Sequence, residues 1–148
     1  MQLTGAYTFK APRDTVWQAM LDPENIRRCM PGCEEFKEIA EDQYEAVMKA
    51  GIGAIKGTFQ GKIQLSERQP PTSYRMGVEG GGKPGRVKGS GVLTLSDQGG
   101  STLVSYDGDA QVAGLIASVG QRLLGITARK MIEQFFKAME KQIPATRT

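Results

Sequence analysis

Histidine is absent from the 148 residues, cysteine occurs only at Cys29 and Cys33, and Trp17 is the single tryptophan. Without an imidazole to carry the proton, neither a Ser-His-Asp nor a Cys-His nucleophile can be assembled. A Cys/His zinc site fails for want of ligands, and two thiols do not make a disulfide framework. The expectation is no metal, no cofactor and no catalytic residue. Long apolar runs are missing too: none approaches the roughly 18 residues of a membrane span. The start, Met1-Gln2-Leu3-Thr4, has neither the basic region nor the apolar core of a secretory leader, so a cytoplasmic protein is expected.

What is present suits one globular domain over residues 1–148, with 39% hydrophobic residues and 19 glycines. The net charge of +3 conceals a gradient. Residues 1–45 carry five basic and nine acidic side chains, 46–91 eight and two, and 92–148 six and five. The basic middle is read as a solvated face of the sheet, with anionic lipid or an acidic partner as the alternative. It lacks the aromatic interleaving on which single strands stack, so nucleic acid is not expected as a partner.

The hydrophobic period changes twice along the chain. Residues 3–9 alternate as a short strand. Asp14 to Leu21 reads as two helical turns with Val16, Trp17 and Met20 on one face. Asp22-Pro23-Glu24 starts a second short helix: Asp22 caps free N–H groups, Pro23 suits the first position and Glu24 answers the dipole. Pro31-Gly32 ends it. From Glu34 to Val112 the period is two, giving about six strands and about seven in all. The clearest run puts Ile55, Gly57, Phe59, Gly61, Ile63 and Leu65 on a dry face, as in an antiparallel sheet covered on one side. Gly80 to Gly85 is expected as a flexible connection and Asp97 to Gly100 as a hairpin turn. After Gly114 a helical period runs to about Gln142, roughly 42 Å if continuous. Its stripe is Leu124, Ala128, Met131, Phe135, Ala138 and Met139. Its first half, 115–126, is more apolar than a surface helix needs, with Arg122 as its one charge.

The fold class is therefore α+β: a curled antiparallel sheet whose dry face must be covered by the long C-terminal helix. Glycines on the dry faces (Gly57, Gly61, Gly89, Gly91, Gly108) suit either strong curvature or relief of crowding against a helix. A curved sheet and a straight helix do not mate along their whole length. With five phenylalanines, one tryptophan and seven methionines, the chain has little bulk for the gap, which predicts an apolar cavity. A core packed by methionine is the alternative.

Several motifs carry a family resemblance. Asp22-Pro23-Glu24, the Cys29-Met30-Pro31-Gly32-Cys33 turn and Gly57-Thr58-Phe59-Gln60-Gly61-Lys62 resemble the CoxG family of carbon monoxide dehydrogenase proteins. So do Tyr106-Asp107-Gly108-Asp109-Ala110-Gln111-Val112 before the apolar segment, and Ala128-Arg129-Lys130 followed by Phe135-Phe136. The resemblance spans about residues 3–140 and implies a START-like helix-grip fold with a hydrophobic cavity. It implies an accessory role to a molybdenum-containing carbon monoxide dehydrogenase or related hydroxylase: recruiting it to the membrane, or carrying a quinone that takes its electrons. Some members continue into a membrane anchor after the long helix. For a chain ending at Thr148 the resemblance implies a transient, peripheral membrane visitor instead.

Candidate ligand-lining residues are Phe59, Tyr74, Met76, Leu93, Tyr106, Ile116, Val119, Leu123 and Leu124. The leading expectation is a non-catalytic carrier of a lipophilic small molecule. A protein-interaction module is the alternative, and a cyclase or hydrolase a further one. For catalysis, Asp107 and Asp109 are the pair to weigh, but they project from the outward face of the last strand and are expected to be solvated or ion-paired. Cys29 and Cys33 are read as structural thiols.

Overall fold

A computed structural model describes residues 1–144. Seven strands form one antiparallel sheet: β1 (Gln2–Phe9), β2 (Cys33–Ala40), β3 (Gln43–Ile52), β4 (Ile55–Gln69), β5 (Ser73–Gly82), β6 (Gly85–Asp97) and β7 (Thr102–Ala113). Their order is β1-β7-β6-β5-β4-β3-β2, so every neighbour except β1 is joined to the next by a hairpin. β1 instead lies beside the last strand, with Gly5 opposite Tyr106. The helices α1 (Arg13–Leu21) and α2 (Pro23–Cys29) carry the chain from that edge to the other.

The short helices form as their sequence dictates. Asp22 accepts a 2.9 Å hydrogen bond from the Glu24 amide, Pro23 holds the first position of α2, and Glu24 pairs with Arg27. α1 buries Val16, Trp17 and Met20 against the sheet.

The last part of the chain departs from the expected continuous helix. Leu115–Val119 is a 3-10 turn, Gly120 breaks it, and α3 starts at Gln121 and runs to Gln142. Gly120 has φ 92° and ψ 153°, a conformation that glycine alone adopts readily, so the helix cannot pass through it. The 22 residues of α3 are about 33 Å long. The Gly80–Gly85 segment also differs from expectation. β5 extends to Gly82 and β6 begins at Gly85, leaving a tight turn at Lys83-Pro84 held from above: the Ile116 amide donates to the Pro84 carbonyl at 2.8 Å.

Two of the inward glycines mark a close approach between strands. Gly91 and Gly108 face each other across β6 and β7. A Cβ on Gly91 would lie 2.9 Å from the Asp107 carbonyl oxygen, and one on Gly108 2.8 Å from that of Ser90. Only bare backbone lets adjacent strands coil this closely.

The packed core occupies one end of the concave face. Phe9, Val16, Trp17, Met20, Ile26, Leu65, Tyr74, Leu95, Val104 and Met139 are buried there together. At its centre stands Phe136, with the rings of Tyr7 and Tyr106 at 5.5 and 5.8 Å. The sequence stripe favours Phe135, which is only half-buried. Two adjacent phenylalanines offer the helix a choice of phase, and the aromatics of β1 and β7 select the second.

Candidate functional site on the concave face

Along each central strand the concave face passes from packed to open. On β4, Leu65 and Ile63 are buried, while Gly61, Phe59, Gly57 and Ile55 are half-buried. On β5 the same face carries Tyr74 at 1% exposure, then half-buried Met76, then Val78 at 40%. β6 repeats the gradient from Leu95 and Leu93 to Gly91, Gly89 and Val87, and β7 from Val104 to Tyr106, Gly108, Ala110 and Val112. Direct pairing keeps these residues on one face: Ile63 with Val78, Val78 with Gly89, and Gly89 with Ala110. Apolar side chains on the inner face of a sheet are normally covered. Here the half toward the β3–β4 and β5–β6 hairpins, floored by glycine, valine and Phe59, keeps accessible surface.

The 3-10 turn and the start of α3 stand over that half. Ile116 and Leu124 are buried, yet neither belongs to the main core cluster. A Cβ on Gly85 would lie 2.9 Å from Ile116, and one on Gly53, in the β3–β4 turn, 3.6 Å from the Leu123 side chain. The lid thus rests on both hairpin tips. Its outer side is apolar: Leu115 is 59%, Ile126 52% and Leu123 38% exposed.

The nine expected lining residues divide accordingly. Phe59 lies on the more open half of β4, while Ile116 and Val119 belong to the 3-10 turn and Leu123 and Leu124 to the start of α3. Met76 and Tyr106 stand at the inner boundary of the open half, partly buried and packed against the core. Tyr74 and Leu93 lie inside the core, Tyr74 edge-on to Trp17 with ring centroids 5.5 Å apart. Val78, exposed, and Val87, half-buried, are residues of the same face outside those nine. Their place in the alternation is readable from the sequence; their exposure depends on where the helix stops covering the sheet.

Tyr74 carries the one electrostatic oddity of this face. Its hydroxyl is the buried side-chain polar atom without a hydrogen-bond partner among the described residues. Burial pushes its phenol well above the ordinary value, against the opposing charge of Arg68, so it stays protonated. Arg68 is itself paired with Asp42. By contrast the Tyr7 hydroxyl donates to Glu140 at 2.9 Å.

Two clefts stand out elsewhere. One of about 560 Å³ is lined by Gln2, Arg75, Ser90, Gly91, Val92, Asp107, Gly108 and Asp109. The other, of about 240 Å³, is lined by Gln43, Lys62, Gln64, Glu79, Lys88 and Ser90 together with Ile39, Tyr44, Ile63, Gly77, Val78 and Gly89. The polar side chains of the first cleft alternate away from the core, which puts it on the convex side, and neither cleft is a sealed apolar hollow. Asp107 and Asp109 share that outer side, and Asp109 pairs with the N-terminal ammonium at 3.1 Å. Burial raises both the Cys29 and Cys33 thiols, which suits structural cysteines. Among the described residues no group of Cys, Asp or Glu could hold a metal ion, and no helix is long and apolar enough to cross a membrane.

The same arrangement recurs in solved structures. A START superfamily protein from Mycobacterium smegmatis superposes with a TM-score of 0.71 at 15% identity, covering 96% of each chain. The Zhui aromatase/cyclase from Streptomyces sp. R1128 gives 0.66 at 14% identity, covering 96% of this chain and 92% of the other. At such identities the likeness is one of fold: a START-like helix-grip protein, a curled sheet closed by a C-terminal helix. A conserved protein from Geobacillus kaustophilus is similar in sequence as well, with 34% identity, a TM-score of 0.92 and coverage of 96% and 94%. No curated protein matches the chain. The sequence profile of CoxG, a carbon monoxide dehydrogenase subunit, matches residues 5–144, and the chain belongs to that family.

Proposed function

We propose that this protein is a non-catalytic accessory protein that holds a lipophilic molecule in the concave trough and serves a molybdenum carbon monoxide dehydrogenase or a related molybdenum hydroxylase. The single observation that carries the reading is the exposure of Val78, an apolar side chain left open on the face of the sheet that should be covered. Water against Val78, Val87 and Phe59 is unfavourable, and an apolar guest would release it. A quinone fits the role, since it is apolar apart from two carbonyl oxygens and accepts electrons.

The source of such a guest would be a membrane. Leu115, Leu123 and Ile126 stand exposed beside the trough, with Arg122 and Arg129 on the same stretch of helix. Apolar side chains backed by basic ones suit brief contact with an anionic bilayer, at a strength far short of insertion.

The test is mass spectrometry of an organic extract of the purified protein, followed by titration with a short-tailed quinone. A bound lipophile, or micromolar binding of the added quinone, is expected. A clean extract together with no binding would overturn the reading. A Val78→Asp substitution should weaken binding at least tenfold while leaving the thermal midpoint within a few degrees, because Val78 packs against little.

A further inference from the structure

We infer that the outer edge of β2 is a docking strip for a short, extended segment of a partner protein, one that carries lysine or arginine and adds to the seven-stranded sheet as a further strand. The inference is independent of any guest on the concave face.

The sheet order ends at β1 on one side and at β2 on the other, so β2 pairs with β3 alone. The two edges are not alike. β1 lies against α3: Tyr7 stacks on Phe136 at 5.5 Å, and its hydroxyl reaches Glu140. On β2 the last half-buried residue is Phe36, and beyond it Lys37, Glu38, Ile39 and Ala40 are all exposed. A strand packed on one face alternates between buried and exposed, so four exposed residues in succession stand clear of the core on both faces. The backbone N–H and C=O groups along such an edge are those an added strand uses. Register shifts at Cys33/Glu35 and Glu38/Ala40 leave Glu35 to Glu38 as an unbroken ladder, which limits the incoming strand to a few residues.

Charge decides what can bind there. Lys37 is the one basic residue between Cys33 and Gln43. Glu34 is held by Lys49 at 3.0 Å, but Glu35, Glu38 and Glu41 enter no ion pair among the described residues. Pairing β2 with the β2 of a second copy would bring these glutamates together, which disfavours self-association. A strand bearing lysine or arginine meets them favourably. Ile39 adds a contact for an apolar side chain: it is 41% exposed and lines the cleft of about 240 Å³ together with Gln43, Lys62 and Gln64. Backbone pairing supplies affinity in strand addition, and a recess beside the edge supplies selectivity. The segment that fits therefore alternates basic and apolar residues.

The test uses three fluorescein-labelled peptides: Lys-Val-Lys-Val-Lys-Val, the same repeat with glutamate for lysine, and the lysine peptide with its central valine replaced by proline. The last keeps the charge and removes a backbone donor. Wild type should bind the lysine peptide about tenfold more tightly than either of the others, read by fluorescence anisotropy. Hydrogen exchange at residues 35–39 should slow in that complex. Glu35→Lys with Glu38→Lys should reverse the charge preference. Equal binding of the lysine and proline peptides would reduce the contact to charge and overturn strand addition, as would no binding, or protection that falls elsewhere on the chain. Protection of residues 35–39 by self-association, without peptide, would make the occupant a second copy and overturn the inference too. The three peptides on wild type decide the matter if the double variant folds poorly, and none of these outcomes depends on binding at the concave face.

Discussion

At Gly108 the neighbouring strand comes so close that one added methyl group has nowhere to go: backbone atoms of Ser90 and Gly91 stand at 2.8 and 3.1 Å from its place. Gly108→Ala should therefore cost about 1–3 kcal/mol, read as a lower urea midpoint with an unchanged slope. Phe136→Ala, which empties the ring cluster with Tyr7, Phe9 and Tyr106, should cost about 3–5 kcal/mol in the same experiment. Tyr74 governs part of the alkaline limb. Its folded pKa is raised by burial above the ordinary 10.0, so its contribution to stability is complete below that pH and is lost as pH rises toward the folded value. Urea midpoints of wild type should fall as pH rises past about 10, and those of Tyr74→Phe should fall less steeply. Some slope should remain, since burial also raises Tyr44 and Tyr7.

Gly120 separates two elements that the apolar pattern runs together. Residues 115–126 contain nothing but apolar, small and polar residues around Arg122, so the helical period reads through the break without interruption. A glycine within a helical pattern is tolerated often enough that Gly120 alone does not reveal it. Its φ of 92° does, and the open space around it isolates the backbone effect, because a Cβ there meets nothing within 4 Å. Gly120→Ala should cost about 1–3 kcal/mol of stability through strain alone, or extend α3 backward and lift Ile116 from the Pro84 turn; far-UV circular dichroism separates the two. The other elements are more legible. The capped start of α2 and the alternation of β4 each depend on neighbours close in sequence, whereas the choice of Phe136 over Phe135 depends on rings in β1 and β7, far away along the chain.

For the molecule as a whole, the gradient from packed to open along four strands is the central fact. α1, α2 and the C-terminal half of α3 fill one end, and the 3-10 turn and the start of α3 bridge the hairpin tips at the other. The convex side is separate in character, polar and rich in Lys62, Arg75 and Lys88 beside the two clefts. If that side meets an acidic enzyme surface, association should weaken several-fold between about 50 and 300 mM salt, as a pull-down at the two salt levels would register. Leu115→Ser with Ile126→Ser should instead slow uptake of a quinone from anionic vesicles while leaving binding of the free quinone unchanged.

The amino-acid sequence by itself determined the α+β class, the capped helix, the dry and wet faces of the strands, and the chemistry that a chain without histidine must forgo. These follow from periodicity and composition, which act over a few residues. Tertiary structure decided where the helix breaks, which phenylalanine turns inward, and that Val78 is left exposed on the concave face. It also decided that Tyr74 is left with an unanswered hydroxyl. Each of those depends on how far one element reaches over another, a distance in space that no spacing along the chain records.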